Sequence, residues 1–236
     1  MPLEQTASWL GVLDLYDHLS EGWTLIGGQL VHLYCAERGQ FPVRPTNDAD
    51  TVIDVRSDPK ILHTFTKTLT DIGFESAGIS AEGRQHRWMR GKASIDVLLP
   101  DGIGERASQR QGVTGSPTLP TAGGTQALER SEVVEVTVDN REGFVRRPNL
   151  VGALVVKAAA HGNAGDPGIA RHRRDFIVLA GLITAADFAN EDLTKKDHQR
   201  LRLIVTAIKN DRELLLEVPS ATAAIERLKV AAKLDA

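Results

Sequence analysis

Between Trp23 and Val55 the chain carries two punctuation marks that constrain everything built around them. The apolar run Trp23-Thr24-Leu25-Ile26 ends at Gly27-Gly28, and apolar positions of helical period (Leu30, Val31, Leu33, Tyr34) follow as far as Gly39. That order predicts strand, tight turn and helix. The chain then passes Arg44-Pro45-Thr46-Asn47-Asp48-Ala49-Asp50 and enters the apolar run Thr51 to Val55, which predicts the next strand. Asp48 and Asp50 stand at its edge, two residues apart, and side chains so spaced on a strand share a face. A glycine turn opening a helix offers backbone N–H groups to phosphate. Mg²⁺ is commonly held by one or two carboxylates together with substrate phosphates. The stretch therefore predicts a holder for a metal-bound nucleotide.

The rest of the chain separates into a mixed half and a helical half. Helices are predicted over 3–20 and 59–71, the latter with Pro59 in its first turn, and strands over 74–77, 86–89 and 93–99, the last closed by Pro100. Residues 101–131 turn to Gly, Ser, Thr, Gln and Pro and read as a long loop. Their Gly102-x-Gly104 and Gly123-Gly124 pairs lack the third glycine of a dinucleotide fingerprint and the Gly-Lys-Ser/Thr ending of a P-loop. Val133 to Val138 alternates as a strand. From 149 onward the pattern is helical, over 149–161, 168–182, 195–209 and 219–234. The expected fold class is α+β: a mixed β-sheet flanked by helices in a domain over 1–148, then a helical bundle over 149–236.

Composition excludes several classes. The 236 residues are 42% hydrophobic and 25% charged, as in an ordinary globular protein able to bury a core. Cys35 is the only cysteine, so no internal disulfide forms; its thiol is expected to act as a small apolar group in a helix. No apolar run reaches the length of about 18 residues needed to span a bilayer. Met1 to Gln5 lacks the basic-then-apolar layout of a signal peptide, and the expected location is the cytoplasm, away from membranes. The net charge of −3 hides an asymmetry: residues 1–60 carry nine Asp/Glu against four Lys/Arg, whereas 141–174 carry seven Lys/Arg against Glu142 and Asp166. Such a split suits carboxylates holding cations and cations holding phosphates, or two solvated faces.

A third carboxylate, Asp96, lies inside the apolar strand Ser94-Ile95-Asp96-Val97-Leu98. Burying it is unfavourable unless it is paired or bound to a cation. In two-metal phosphoryl or nucleotidyl transfer, a third carboxylate serves the ion that activates the attacking hydroxyl. Asp96 is thus a candidate base or second-metal ligand. Local readings stay open beside this one: Asn47 to Asp50 also suits a turn before a strand, and Arg44 either contacts phosphate or pairs with Asp48 or Asp50.

Gly27-Gly28, then Arg44-x-Thr46-x-Asp48-x-Asp50, then the strand residue Asp96 resemble the minimal nucleotidyltransferases of the DNA polymerase beta superfamily, and most of all the AbiEii-like toxins of type IV toxin–antitoxin systems. The resemblance spans roughly residues 20–182. It implies the minimal nucleotidyltransferase fold, a nucleoside triphosphate (NTP) on Gly27, Gly28, Gln29, Arg44, Thr46 and Lys157, and Mg²⁺, or Mn²⁺ in its place, on Asp48, Asp50 and Asp96. It also implies catalytic roles for two helix residues. Lys157, in Leu154-Val155-Val156-Lys157-Ala158, matches the helix lysine that meets nucleotide phosphates. Asp175, in Arg171-His172-Arg173-Arg174-Asp175, matches the helix aspartate that anchors such a cation. His172 stands where the subgroup commonly has Asp, and surface and site roles both stay open for it. Gln29 takes the place where many members hold the terminal phosphate with Ser or Thr, which shifts that duty toward backbone, Arg44 and Lys157.

The activity so implied is Mg²⁺-dependent transfer of a nucleoside monophosphate from an NTP to an acceptor. Resemblance to the toxins makes the acceptor the 3′ end of tRNA, the outcome growth inhibition, and a cognate antitoxin a partner. The basic stretch 141–174, with Arg84, Arg87, Arg90 and Lys92, supplies the cations an RNA would need. Two alternatives are a nucleotidyltransferase acting on an aminoglycoside- or lincosamide-type antibiotic, which an acidic surround of Asp96 would favour, and a catalytically silent nucleotide-binding module.

Overall fold

The computed structural model describes residues 1–42, 44–163 and 168–235. Asp166, counted in the basic stretch, lies outside them. The chain divides into two compact units, Met1–Gln29 with Pro45–Pro148 and Leu30–Arg44 with Asn149–Ala236. The second unit thus takes in residues 30–44, which the sequence pattern alone assigns to the first domain.

The first unit is built on a mixed sheet in the order β1-β2-β5-β4-β3, with β6 also paired to β5. Its strands are β1 (Trp23–Ile26), β2 (Asp48–Ile53), β3 (Glu75–Ser76), β4 (Arg87–Arg90), β5 (Ala93–Pro100) and β6 (Leu119–Thr121). β2 and β5 run parallel, while β1, β4 and β3 join antiparallel. Helix α1 (Leu3–His18) packs on β5 and β2, and α3 (Ile61–Asp71) packs on α1. Trp23, Phe65, Phe74, Trp88, Leu13 and Leu25 are fully buried between these elements. The Trp23 and Phe65 rings meet edge to face at 6.1 Å, a geometry that adds about 0.5–1.5 kcal/mol to the burial itself. A two-stranded hairpin, β7 (Ser131–Val138) and β8 (Arg141–Pro148), completes the unit.

Three differences from the sequence expectation have physical causes. β2 begins at Asp48 rather than Thr51, because its ladder with β5 already pairs Asp48 with Ser94; the two aspartates therefore sit within the strand, where the composition of Asn-Asp-Ala-Asp hides them. The loop expected over 101–131 contains α4 (Glu105–Ser108), β6 and α5 (Gly124–Glu129), all too short to show a period. β8 carries only Phe144 and Val145 as large apolar residues, so its pattern is weak, yet the two residues Asp139-Asn140 join it to β7. Asp139 takes φ +53° there, a left-handed conformation that Asp tolerates better than most.

In the second unit the central element is α6 (Leu150–His161), in which every residue but Ala160 is buried. A helix apolar on all sides has to be surrounded. Residues from Leu30 of α2 (Gly27–Glu37), α7 (Ile169–Leu182), α8 (Lys195–Lys209), α9 (Arg212–Glu217) and α10 (Ala221–Ala231) share one core with it, including Tyr34, Leu154, Phe176, Leu201, Ile204 and Leu228. α6 opens on Asn149, whose side chain accepts from Gly152 N–H, and α8 on a Thr194/Asp197 capping box. α3 and α10 start at Ile61 and Ala221, two residues past Pro59 and past Pro219, the first residue of the helix expected over 219–234; α9 and the 3₁₀ turn Ala185–Phe188 escape the helical period by their brevity. No helix among the described residues is long and apolar enough to cross a membrane.

One buried hydroxyl ties α1 to both strands that will carry the carboxylates. Ser8 Oγ donates to the Asn47 carbonyl at 2.6 Å and accepts from Ser94 N–H at 2.9 Å. Ser8→Ala leaves both backbone groups without that partner and is expected to destabilise the protein by about 1–3 kcal/mol, read as a lowered urea midpoint at unchanged slope; an unshifted midpoint would refute the role.

Candidate active site

Strand register places the first unit's functional side chains in one row. β2 and β5 pair Asp50 with Asp96, and β5 and β4 pair Asp96 with Arg87. Asp48 lies one pleat along β2 on the same face as Asp50. Oxygens of Asp48, Asp50 and Asp96 all lie within 4.8 Å of one another. Asp96 is buried, while Asp48 and Asp50 are half-exposed. Thr51 Oγ1 donates to the Asp96 carbonyl at 2.8 Å and pins the two strands beside the site.

The glycine turn is shaped by this row. Ile26, the last residue of β1, pairs with Asp50, and the next residue, Gly27, takes φ +74°. A Cβ on Gly27 would lie 2.6 Å from Asp50 Cγ, and one on Gly28 would lie 2.5 Å from Thr46 Oγ1. Any side chain here would displace the carboxylate or the threonine, so the close approach itself requires glycine. Thr46 Oγ1 donates to Asp48 Oδ1 at 3.3 Å and orients it. Gln29 is fully buried: its Oε1 accepts from Gln5 Nε2 at 3.1 Å and its Nε2 faces the Thr46 carbonyl at 3.5 Å. Gln29 thus braces the backbone at Thr46. Three hard oxygen donors converging beside a turn that only glycine fits suit a divalent cation.

A cation already sits on this row. Arg87 Nε donates to Asp96 Oδ1 at 2.8 Å and Nη2 donates to Asp96 Oδ2 at 2.7 Å and to Asp48 Oδ2 at 3.0 Å. The bond to Asp96 pushes the arginine pKa up, against the opposing effect of burial, with the charges of Asp96, Asp48 and Asp50 adding to the rise. Arg87 was expected among the RNA-facing cations; it belongs instead to the carboxylates. The two-residue turn Gly91-Lys92 between β4 and β5 pairs Arg90 with Ala93 and so brings Arg87 opposite Asp96.

The second unit gathers a different cluster. Asp175, on α7, accepts from Lys157 Nζ on α6 at 2.7 Å and receives Arg44 bidentately, Nε at 3.0 Å and Nη2 at 2.8 Å. Lys157 and Asp175 are only 3% and 1% exposed. Burial works to raise the Asp175 pKa, but the charge of Lys157 and the bonds from Arg44 and Lys157 outweigh it, and the carboxyl is held below the usual range. His32, on α2, meets the Arg44 carbonyl through Nε2 at 2.7 Å. Burial and the Arg44 charge keep its imidazole below its ordinary pKa, although that backbone bond and Asp175 act the other way. Cys35 is buried, and burial and Asp175 push its thiol up to about 11, which leaves it inert at neutral pH. Of the partners open to Arg44, a carboxylate is thus the one it meets, in Asp175. His172 is buried, so its place is inside the unit rather than on the surface.

Most of the arginines expected to meet RNA are engaged inside the first unit. Arg84 donates to the Ser108 and Thr118 carbonyls, Arg90 pairs with Asp14, Lys92 with Glu4, Arg141 with Asp14 and Asp17, and Arg147 with Glu132. Of the basic stretch, Arg141 is thus joined directly to carboxylates of the acidic one.

No family model and no curated protein matches the sequence. Among solved structures, the chain is similar to an antigenic nucleotidyltransferase-like protein from Paracoccidioides brasiliensis, with a TM-score of 0.53 and 16% identity over 95% of this chain and 93% of that one. The antibiotic-resistance factor ANT(2'')-Ia aligns over 92% of this chain and 97% of its own, at 12% identity and a TM-score of 0.45, which is too distant to carry an argument. The fold is therefore nucleotidyltransferase-like: a mixed sheet flanked by helices and followed by C-terminal helices.

The buried Lys157–Asp175 pair makes a prediction with a definite sign. A carboxyl whose folded pKa is lowered adds stability above its unfolded value of about 3.9 and loses it as pH falls through the folded pKa. Asp175→Asn leaves Lys157 buried without its anion and is expected to cost about 3–5 kcal/mol at pH 7. The gap between wild type and variant should close as the pH is taken below about 4, measured by urea unfolding across pH. A gap independent of pH would exclude an ionised Asp175.

Proposed function

We propose that this protein is a divalent-metal-dependent nucleotidyltransferase. The observation that carries the reading is the convergence of Asp48, Asp50 and Asp96 within 4.8 Å beside a turn that only glycine fits. Asp48, Asp50 and Asp96 would hold Mg²⁺ or Mn²⁺, and such an ion, when bound, polarises phosphoryl oxygens as a Lewis acid. The acceptor's hydroxyl oxygen forms a bond to the α-phosphorus of an NTP while the bond to the bridging oxygen breaks and pyrophosphate leaves. The hydroxyl proton passes to the Asp96 carboxylate. Backbone N–H groups of the Gly27-Gly28 turn meet phosphate, and Thr46 fixes Asp48. Arg44, the more exposed cation on Asp175, is the candidate phosphate ligand of the second unit. Asp175 orients it, and Lys157 supplies the charge that keeps Asp175 ionised. Gln29 acts by bracing Thr46 rather than by touching the nucleotide.

Resemblance to AbiEii-like toxins supports the 3′ end of tRNA as acceptor, growth inhibition as outcome and a cognate antitoxin as partner. A small cationic acceptor of the aminoglycoside or lincosamide kind is the second reading, supported by the convergence of Asp48, Asp50 and Asp96, carboxylates of the kind such an acceptor needs.

The test is incubation with Mg²⁺ and each α-labelled NTP, in parallel with total RNA and with a panel of such antibiotics. Label is expected in one acceptor class, and Asp50→Ala is expected to reduce it by about a hundredfold or more. Label in tRNA supports the toxin reading, and label in an antibiotic supports the second. A protein that binds triphosphate yet labels nothing would be a silent nucleotide-binding module, and the proposal would fall.

A further inference from the structure

We propose that Arg87 is a tethered counter-cation on the carboxylate row, which a divalent ion has to displace, so that metal binding and nucleotide binding are coupled through this one side chain. The inference rests on the reading above that Asp48, Asp50 and Asp96 hold the ion. Arg87 stands directly across the strand from Asp96 and makes a forked pair of bonds to it, with a further bond to Asp48. It thereby uses oxygens from two of the three carboxylates that an ion would need.

Two physical facts make the occupation consequential. A guanidinium does not lose its proton in a protein, so Arg87 cannot yield by deprotonation and has to move. Three carboxylates this close repel one another, so a cation of some kind is required whenever they are ionised. In the absence of metal Arg87 meets that requirement, and an arriving ion gains only the difference between its own attraction and the bonds it breaks. Arg87 is also free to leave: its side chain is 43% exposed, against 8% for Asp96. A planar fork released from a carboxylate is matched to a phosphate. A bound triphosphate offers Arg87 a new partner, so metal should bind weakly alone and tightly with nucleotide, and by linkage nucleotide should gain equally from metal. Arg87 would then be a positioning residue that selects the metal–nucleotide pair over the bare ion.

The experiment reads Mn²⁺ affinity, by the electron paramagnetic resonance signal of free Mn²⁺, with and without a non-hydrolysable triphosphate. Wild type, Arg87→Gln, Arg87→Lys and Asp50→Asn are compared, each checked for a cooperative thermal transition. Arg87→Gln is expected to bind Mn²⁺ alone about tenfold more tightly, the equivalent of one charge-assisted bond no longer broken, and to lose most of the tightening that nucleotide produces in the wild type. Arg87→Lys keeps the charge but not the fork and should fall between; should Arg87→Gln fail to fold, a Lys variant no tighter than wild type overturns the inference. An Arg87→Gln affinity equal to or weaker than wild type, while Asp50→Asn still loses affinity, overturns the role of Arg87 and leaves the metal site standing. Asp50→Asn binding Mn²⁺ as well as wild type, or a wild type that binds none even with nucleotide, overturns both.

Discussion

Mutual repulsion among three carboxylates is the constraint around which the first unit is organised. Strand register alone sets Asp50, Asp96 and Arg87 side by side on β2, β5 and β4, and Asp48 joins them by the two-residue period. Such a row is stable only while a cation stands on it. The glycines at 27 and 28, Thr46 and buried Gln29 then follow as consequences, since each either makes room for a carboxylate or holds the segment that carries one. Ser8 and Thr51 are tolerated as buried groups because each of their hydroxyls has a backbone partner.

The second unit solves a related problem differently. Asp175 lies between Lys157 and Arg44, and here the ammonium is as buried as the carboxylate. Desolvation and pairing are both large there, so removing one partner is far more damaging than the net strength of the pair suggests. This explains a lysine in the middle of an otherwise apolar α6 without invoking solvent: its Nζ is turned to α7, not snorkelled outward.

Much of this was legible in the residues, and the parts that were not share a cause. Long amphipathic or wholly apolar segments announce themselves by period, so α1, α6, α7 and α8 stand close to where the sequence places them. Short elements without a continuous apolar run, such as α9 and β6, hold too few periods to read. The Gly27-Gly28 turn, the Asp48-x-Asp50 pair and Asp96 could be singled out because each breaks a local rule, a glycine opening a helix or a charge inside a strand. Arg87 breaks none. A surface-like arginine in a short strand reads as solvated, and only the tertiary pairing of β4 with β5 gives it a carboxylate. Conversely, sequence distance conceals that Asp14 lies beside both Arg90 and Arg141, two of the cations the sequence offered to an RNA.

The contrast between the two clusters separates exchangeable from fixed charge. Side-chain exposure is 43% for Arg87 but 4% for Lys157. An exposed guanidinium regains hydration when it leaves its partner, so its departure is governed by what arrives; a buried ammonium regains nothing, so its departure amounts to local unfolding. Of the two clusters, the Asp48–Asp50–Asp96 row is therefore the one whose cation is exposed enough to exchange. The Lys157–Asp175 pair is fixed in place, and Arg44, at 27% exposure, is the more exposed of the two cations on Asp175.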